Sequence, residues 1–243
     1  MHLSPAPPAP ENQFEQLYQQ QADPWDYKQA AEQAKYDHML AAARRYHPHP
    51  GRVLEVACSL GHLTVRLAGY APYVAAFDIS PTAVEHTRRR CASLSTETRF
   101  DLSVRDALHT GYPPASFDVI FTGDVVHGAF DGGEQSSRLI RHILSLLAPG
   151  GVLVFTDYLS PSHQESYVRR IESQGGRVLE RLYFHDRYCF RLRSLLKAVR
   201  GTRLARYLLE SRRLYRVLAA WGKRQGPAGS KHFGVVCVSE AQP

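Results

Sequence analysis

Cysteine is scarce in this chain. Four occur in 243 residues, Cys58, Cys91, Cys189 and Cys237, with no CxxC pair and no ladder of spacings. That argues against a disulfide framework or a structural zinc site and makes a reduced, cytoplasmic protein the expectation. Long apolar runs are also missing. No stretch approaches the roughly 20 residues that a membrane-spanning helix needs, so no transmembrane segment is expected. The opening MHLSPAPPAPENQ has no basic segment leading into an apolar run, unlike a signal peptide, and its prolines predict a flexible tail over 1–13. Acid is nearly absent from one region. Residues 187–231 hold thirteen Lys or Arg against a single acid, Glu210, whereas the rest of the chain holds seventeen against 22 acids. The basic character therefore belongs to one segment and not to the core.

What is present reads as an ordinary globular chain, 44% hydrophobic and 22% charged. A helical cap is predicted over 14–50, in which FEQLYQQ places Phe14, Leu17 and Tyr18 on one face and Asp23-Pro24-Trp25 resembles a capped helix start. A core over 51–186 alternates short apolar runs with helical patterns. Strands are expected at RVLEVA, PYVAAFDIS, RFDLSVRDA, SFDVIFTGDVV, GVLVFTDYL and RVLERLYF. Helices are expected at LTVRLAG, after the Ser80-Pro81 cap, at SSRLIRHILSLLAPGG and over 161–174. Such alternation implies right-handed crossovers and a mostly parallel sheet. Residues 187–231 read as two or three amphipathic helices with a basic outer face, inserted before a last strand at 233–241. The expected fold is thus α/β and Rossmann-like: seven strands, mostly parallel, with N-terminal helices, a helical lid insert, and a last strand and C-terminus over 232–243.

An open α/β sheet binds its ligand at the carboxyl ends of the strands, and the first strand-to-helix turn must let that ligand approach the backbone. In Val53-Leu54-Glu55-Val56-Ala57-Cys58-Ser59-Leu60-Gly61 the small residues Ala57, Ser59 and Gly61 supply that turn. Glu55 is placed to anchor the network facing the ligand. Asp78, ending the second strand, can accept both hydroxyls of a ribose.

The series EVACSLG, FDIS, RDA, FDVI and LAPGG resembles class I S-adenosylmethionine (SAM)-dependent methyltransferases, over residues 52–158. Their last strand runs antiparallel, which the strand at 233–241 would match. Leu17-Tyr18, Asp23-Pro24-Trp25 and Lys35-Tyr36 resemble the branch containing the rhizobial nodulation N-methyltransferases, which methylate an amino group on a glucosamine oligomer. The resemblance implies SAM as cofactor. It implies that Ala57, Cys58, Ser59 and Gly61 pack under the methionyl part and that Asp78 holds the ribose. It places Ile79, Asp106 and Ala107 around the adenine and Thr122 at the junction with substrate, with Tyr18 and Trp25 closing the cofactor side. Lys35-Tyr36 would be part of that cover. The family's G-x-G-x-G is replaced here by Ala57 and Ser59, which fits if the backbone keeps φ < 0 there.

Methyl transfer from a sulfonium is a direct displacement, so the candidate base decides the chemistry. Asp124 could orient an amine, and His127 has a pKa suited to proton abstraction from a hydroxyl. Asp157 and Tyr158 end the fifth strand at the same rim. His185 follows the sixth, and Tyr188 belongs to the insert; all four are candidates for substrate binding. The histidines and acids show no compact motif such as HExxH, so no metal is expected. The basic insert suits a solvated face, an anionic substrate group or, less well, nucleic acid, since no Asn/Asp-Pro-Pro-Tyr/Phe loop follows the fourth strand. A membrane-facing amphipathic lid is a further reading, since Arg alternates with Leu and Tyr there. Three functions stay open. The first is an N-methyltransferase for a small amine or amino sugar of secondary metabolism such as antibiotic biosynthesis. The second is an O-methyltransferase using His127 as base. The third is a non-catalytic or nucleic-acid-binding protein on a degenerate core. A glycosylated substrate and a homodimer stay open as well.

Overall fold

A computed structural model describes residues 10–126 and 133–240, without the side chains of 10–12. A single sheet organises them, in the order β3-β2-β1-β4-β5-β7-β6. Its strands are β1 (Arg52–Val56), β2 (Tyr73–Asp78), β3 (Arg99–Val104), β4 (Phe117–Gly123), β5 (Leu147–Tyr158), β6 (Gly176–Tyr183) and β7 (His232–Ser239). The pairings from β3 across to β5 are parallel, and β7 runs antiparallel between β5 and β6. The Rossmann-like sheet expected from the sequence is present, with its antiparallel last strand.

The central strands are buried on both faces, as a crossover sheet requires. One face carries Leu54, Val56, Ile120, Leu153, Phe155 and Val235 against α4 (Glu134–Ser145) and α5 (Pro161–Ser173). The other carries Val53, Val74, Val119, Phe121, Val154 and Val236 against α2 (Ala30–Tyr46). Ala42 and Ala43, fully buried beside Met39, let α2 lie close to the sheet. Helix α3 (Pro81–Ala92) starts where Ser80 caps it, its hydroxyl accepting the Ala83 N–H at 3.1 Å. Glu15 of α1 (Pro10–Gln20) adds its carboxylate to the same end, accepting the Thr82 hydroxyl at 2.6 Å and the Ser80 hydroxyl at 2.5 Å. An acid there also meets the positive end of the helix dipole.

Two expected helices differ. LTVRLAG forms only a single 3-10 turn, Thr64–Leu67, because Gly69 turns left-handed at φ 73° and the chain enters β2 four residues later. Asp23-Pro24-Trp25 does not open a helix. Asp23 Oδ1 accepts the Tyr27 N–H at 3.0 Å, Asp26 sits at φ 58°, and α2 begins only at Ala30. The insert forms α6 (Arg187–Leu195), α7 (Arg203–Glu210) and α8 (Arg212–Arg224). It docks by backbone contact. A Cβ on Gly222 would lie 2.2 Å from the His185 carbonyl oxygen, and one on Gly229 would lie 1.9 Å from that of Gly222, so both positions require glycine.

Candidate functional site

The carboxyl ends of β1 and β2 meet the turn at 57–61. Ala57 and Ser59 lie at φ 57° and 50°, and Gly61 at 75°. This corrects the expectation of φ < 0. The turn keeps the shape that alternate glycines favour, although two of the three residues carry a Cβ at a cost of roughly 1–2 kcal/mol each. The surroundings hold it there. The Cys58 N–H donates to the Phe77 carbonyl at 2.9 Å, and the Thr87 hydroxyl donates to the Ser59 carbonyl at 2.8 Å. Asp78, 5% exposed, accepts the Ser59 N–H on one oxygen at 2.9 Å and the Ser80 N–H on the other at 3.0 Å. A carboxylate has about four acceptor positions, and these backbone bonds do not fill them. Glu55 accepts the Thr64 hydroxyl at 2.6 Å, and burial, with Asp78 nearby, pushes its carboxyl up to about 8.

The N-terminal segment closes over this turn. The Tyr18 hydroxyl bonds to Ser59 Oγ, and Trp25 Nε1 donates to the Tyr18 hydroxyl at 3.2 Å while the indole stays 40% exposed. Burial, reinforced by Asp78, pushes the Tyr18 phenol well above its ordinary value, so it stays protonated. Ile79 is half-buried, and Ala107 packs against the core. Asp106 accepts the Leu108 N–H at 2.9 Å and pairs with His109 Nδ1 at 2.7 Å in an exposed turn, not at a helix start. Thr122 is fully buried at the end of β4, and its hydroxyl has no partner among the described residues. The left-handed turn, an acid with spare acceptor positions and an orphaned hydroxyl fit a nucleoside cofactor entering along the strand ends.

A buried ionic cluster lies beyond β4. Asp124, at φ 59°, is held by its N–H on the Thr156 carbonyl at 2.9 Å. Its Oδ2 lies 2.5 Å from Nζ of Lys35, which is only 2% exposed on α2 and also lies 2.8 Å from Glu32. His232, the first residue of β7, sets its Nε2 3.5 Å from Lys35 Nζ, 3.6 Å from Asp124 and 3.7 Å from Glu32. Its Nδ1 meets Asp186 at 2.6 Å. Asp186 also accepts the backbone N–H groups of Lys231 at 2.7 Å and His232 at 3.2 Å.

The charge states follow from the neighbours. Burial opposes the Lys35 charge, but Asp124 and Glu32 overcome it and raise its pKa above the ordinary value. Burial would raise Asp124, yet Lys35 and then His232 hold it well below the carboxylate range. Burial and Lys35 disfavour the His232 imidazolium, while Asp124 and Glu32 bring it up to about 10. Ligand atoms of Glu32, Asp124 and His232 lie within 4.8 Å of one another, but the Lys35 ammonium already sits among them. The rings of Tyr158 and Phe190 cover His232 at 5.4 and 5.2 Å.

Several candidates stand apart from this cluster. Asp157 is buried on the opposite face of the sheet, with Phe155 and Tyr167. His185 lies under α8, its N–H on Ser230 Oγ at 2.9 Å. Tyr188 packs edge-on against Trp221 of α8 and accepts from Gln225 at 2.5 Å. Only Asp124 and Tyr158 of the expected rim reach it. His127 lies outside the described residues. Glu32 and His232 were not among the expected site residues, and Lys35 was expected only as part of the cofactor cover. Their signal was an i, i+3 charged pair on the same helix face as Tyr36 and Met39, and a histidine opening the last strand.

Residues 53–151 match the protein family described as a methyltransferase domain. Over that segment the chain is similar to a methyltransferase domain. The chain is 31% identical over 134 residues to nodulation protein S of Bradyrhizobium diazoefficiens, covering 55% of this chain and 61% of that protein. It is 30% identical over 132 residues to 27-O-demethylrifamycin SV methyltransferase of Amycolatopsis mediterranei, covering 53% and 47%. The chain thus matches about half the length of these relatives. In fold it is similar to the N-methyltransferase NodS of Bradyrhizobium japonicum WM9 in complex with S-adenosylhomocysteine, with TM-score 0.61, 21% identity, and 72% of this chain and 90% of that one covered. It is equally similar to the [4+2]-cyclase SpnF, with TM-score 0.61, 18% identity, and 85% and 81% covered. The sequence and fold likeness both support the class I methyltransferase resemblance and its nodulation branch.

Proposed function

We propose that the protein is a SAM-dependent methyltransferase that methylates an amine of a small molecule, such as an amino sugar. The cofactor is S-adenosylmethionine. When bound, it supplies an electrophilic methyl group on a sulfonium, and the protein's task is to aim a nucleophile at it and keep water away. Asp78 and the turn at 57–61 would hold the nucleoside and methionyl parts, with Tyr18 and Trp25 as cover. Thr122 would stand at the junction with the acceptor.

One observation supports nitrogen over oxygen. Asp124 Oδ2 is engaged by Lys35, but Oδ1 has no hydrogen-bond partner among the described residues. Three carboxylates, Glu32, Asp186 and Asp124, surround Lys35 and His232, and this excess of acceptors favours the N–H groups of a neutral amine. Asp124, held below the carboxylate range, is too weak a base to deprotonate a hydroxyl and serves to orient. His232 is an imidazolium at neutral pH and cannot act as that base either. The likeness to nodulation protein S supports an amine acceptor, while the rifamycin relative keeps an O-acceptor, with His127 as base, as a second reading.

The test is a panel of amines and hydroxyl compounds incubated with the protein and methyl-labelled SAM. Turnover restricted to amines is expected. Asp124→Asn should lower kcat/KM for the amine by about 10- to 100-fold, the worth of a charge-assisted hydrogen bond, while S-adenosylhomocysteine affinity stays within about twofold. Turnover of hydroxyl compounds alone, or parental rates in Asp124→Asn, would overturn the assignment.

A further inference from the structure

Among the described residues, six of the ten exposed large apolar side chains fall between 195 and 221: Leu195, Val199, Leu204, Tyr207, Val217 and Trp221. They lie in the segment where thirteen basic residues meet one acid. The coincidence is unusual because a solvated face has no use for Leu195 at 81% exposure, Tyr207 at 72% or Leu204 at 69%. On α8, Arg213, Val217, Ala220, Trp221 and Arg224 recur at helical spacing and are all exposed, so one stripe alternates apolar and cationic groups. On α7, Leu204 and Tyr207 are exposed, each directly after an exposed arginine, Arg203 and Arg206. Arg193 and Arg200 share one carboxylate, Asp26, and Arg212 lies 3.9 Å from Asp37. Lys197, Arg203, Arg206, Arg213, Arg216 and Arg224 reach no carboxylate among the described residues.

We infer that α7 and α8 dock the protein on the surface of an anionic phospholipid bilayer. Apolar side chains enter the boundary between headgroups and acyl chains, and long cationic side chains reach the phosphates, an arrangement suited to an amphipathic helix lying in the interface. The charge selects this occupant. A second copy would bring a like-charged segment against the first, and a nucleic acid would leave Leu195, Leu204 and Val217 against phosphates without a function. The surface is linked to the ionic cluster by one short helix. Phe190 of α6 packs on His232 and Tyr158, and Leu195 stands five residues further along the same helix, about 7.5 Å in rise. A docked bilayer would lie near the rim.

The test is co-sedimentation of the full chain with vesicles of phosphatidylcholine, alone or with about 30% phosphatidylglycerol. The expected result is binding to the anionic vesicles at least about tenfold tighter than to the neutral ones, and weakened but not abolished by 0.5 M salt, where the Debye length is about 4–5 Å. Leu204→Glu with Tyr207→Glu should reduce it a further tenfold or so, with an unchanged circular-dichroism melting curve. No binding to anionic vesicles would overturn the proposal. So would binding that the double variant leaves intact, tighter retention on duplex DNA than on vesicles, or a concentration-dependent dimer that the double variant dissociates.

Discussion

Lys35 carries the sharpest energetic prediction. Its ammonium is 2% exposed and lies 2.8 Å from Glu32 and 2.5 Å from Asp124, so Lys35→Met preserves chain length and apolar packing while deleting the charge. Breaking a buried pair by removing one partner costs about 3–5 kcal/mol, because the remaining charges are left uncompensated. Two features place this case at the lower end. The Asp124 side chain is 35% exposed, and the His232 imidazolium, 3.6 Å from it, still offsets part of the charge. We expect a loss of about 3 kcal/mol at pH 7, or about 1 M in urea midpoint at an m-value of 2–3 kcal/mol/M. The pH dependence identifies the cause. In the parent, Lys35 depresses Asp124, so that contribution is present above the unfolded carboxylate pKa and lost only as the pH falls below it; it is intact at pH 5. In the variant, burial without the ammonium raises Asp124, protons bind more tightly in the folded state, and stability recovers as the pH falls from 7 to 5. The deficit should shrink by at least about 1 kcal/mol over that interval. Urea denaturation of both proteins at pH 7 and pH 5 measures it. A deficit below about 1 kcal/mol at pH 7, or the same deficit at both values, would refute the buried ion pair.

Two further outcomes follow from the same geometry. The His232 pKa is raised to about 10, so its contribution is complete below the unfolded value near 6.5 and is lost as the pH rises through 10. His232→Gln should therefore flatten the decline in urea midpoint between pH 7 and pH 10, and an unchanged slope would remove the imidazolium from the cluster. Ala57→Gly relieves a left-handed alanine worth about 1–2 kcal/mol and adds about 0.5–1 kcal/mol of unfolded-chain freedom. It should leave the protein about 0.5–1 kcal/mol more stable with S-adenosylhomocysteine affinity retained; a loss of more than about 1 kcal/mol by calorimetry would show that the alanine is unstrained.

The turn and the acid proposed for the cofactor could be picked out in the sequence because their determinants are local. A buried strand, small residues at alternate turn positions and an acid ending the next strand all lie within 52–78, and each constrains its neighbours. What the residues could not show was the sign of φ at Ala57 and Ser59, which tertiary hydrogen bonds to Phe77, Asp78 and Thr87 decide. The rim was harder. Glu32 and Lys35 are spaced as a surface ion pair would be, and nothing on α2 alone reveals that β4 and β7 bury them. Strand parity did hold one usable signal. Asp157 and Tyr158 are consecutive in β5, so they must point to opposite faces and cannot both line one rim. Placing the last strand at 233 and not 232 likewise left out the histidine whose side chain faces α2.

This division bears on what the relatives can teach. The matched methyltransferase domain ends at residue 151 and begins at 53, so it contains the cofactor turn, Asp78 and Asp124. Glu32, Lys35, Asp186 and His232 all lie outside it, as do the basic helices α7 and α8. On the proposed reading, the shared segment would hold the nucleoside cofactor at the strand ends and supply Asp124, while the groups around Asp124 come from the cap, the end of β6 and the start of β7. Proteins that share the first can differ in the second, and the same fold also carries a [4+2]-cyclase. Acceptor choice in this protein should accordingly follow substitutions at positions 32, 35, 186 and 232 more closely than any within 53–78. Exchanging His232 and Glu32 together should alter the ratio of kcat/KM between amine acceptors while leaving S-adenosylhomocysteine affinity in place, and a change in that affinity with the ratio preserved would show that the cluster serves the cofactor instead.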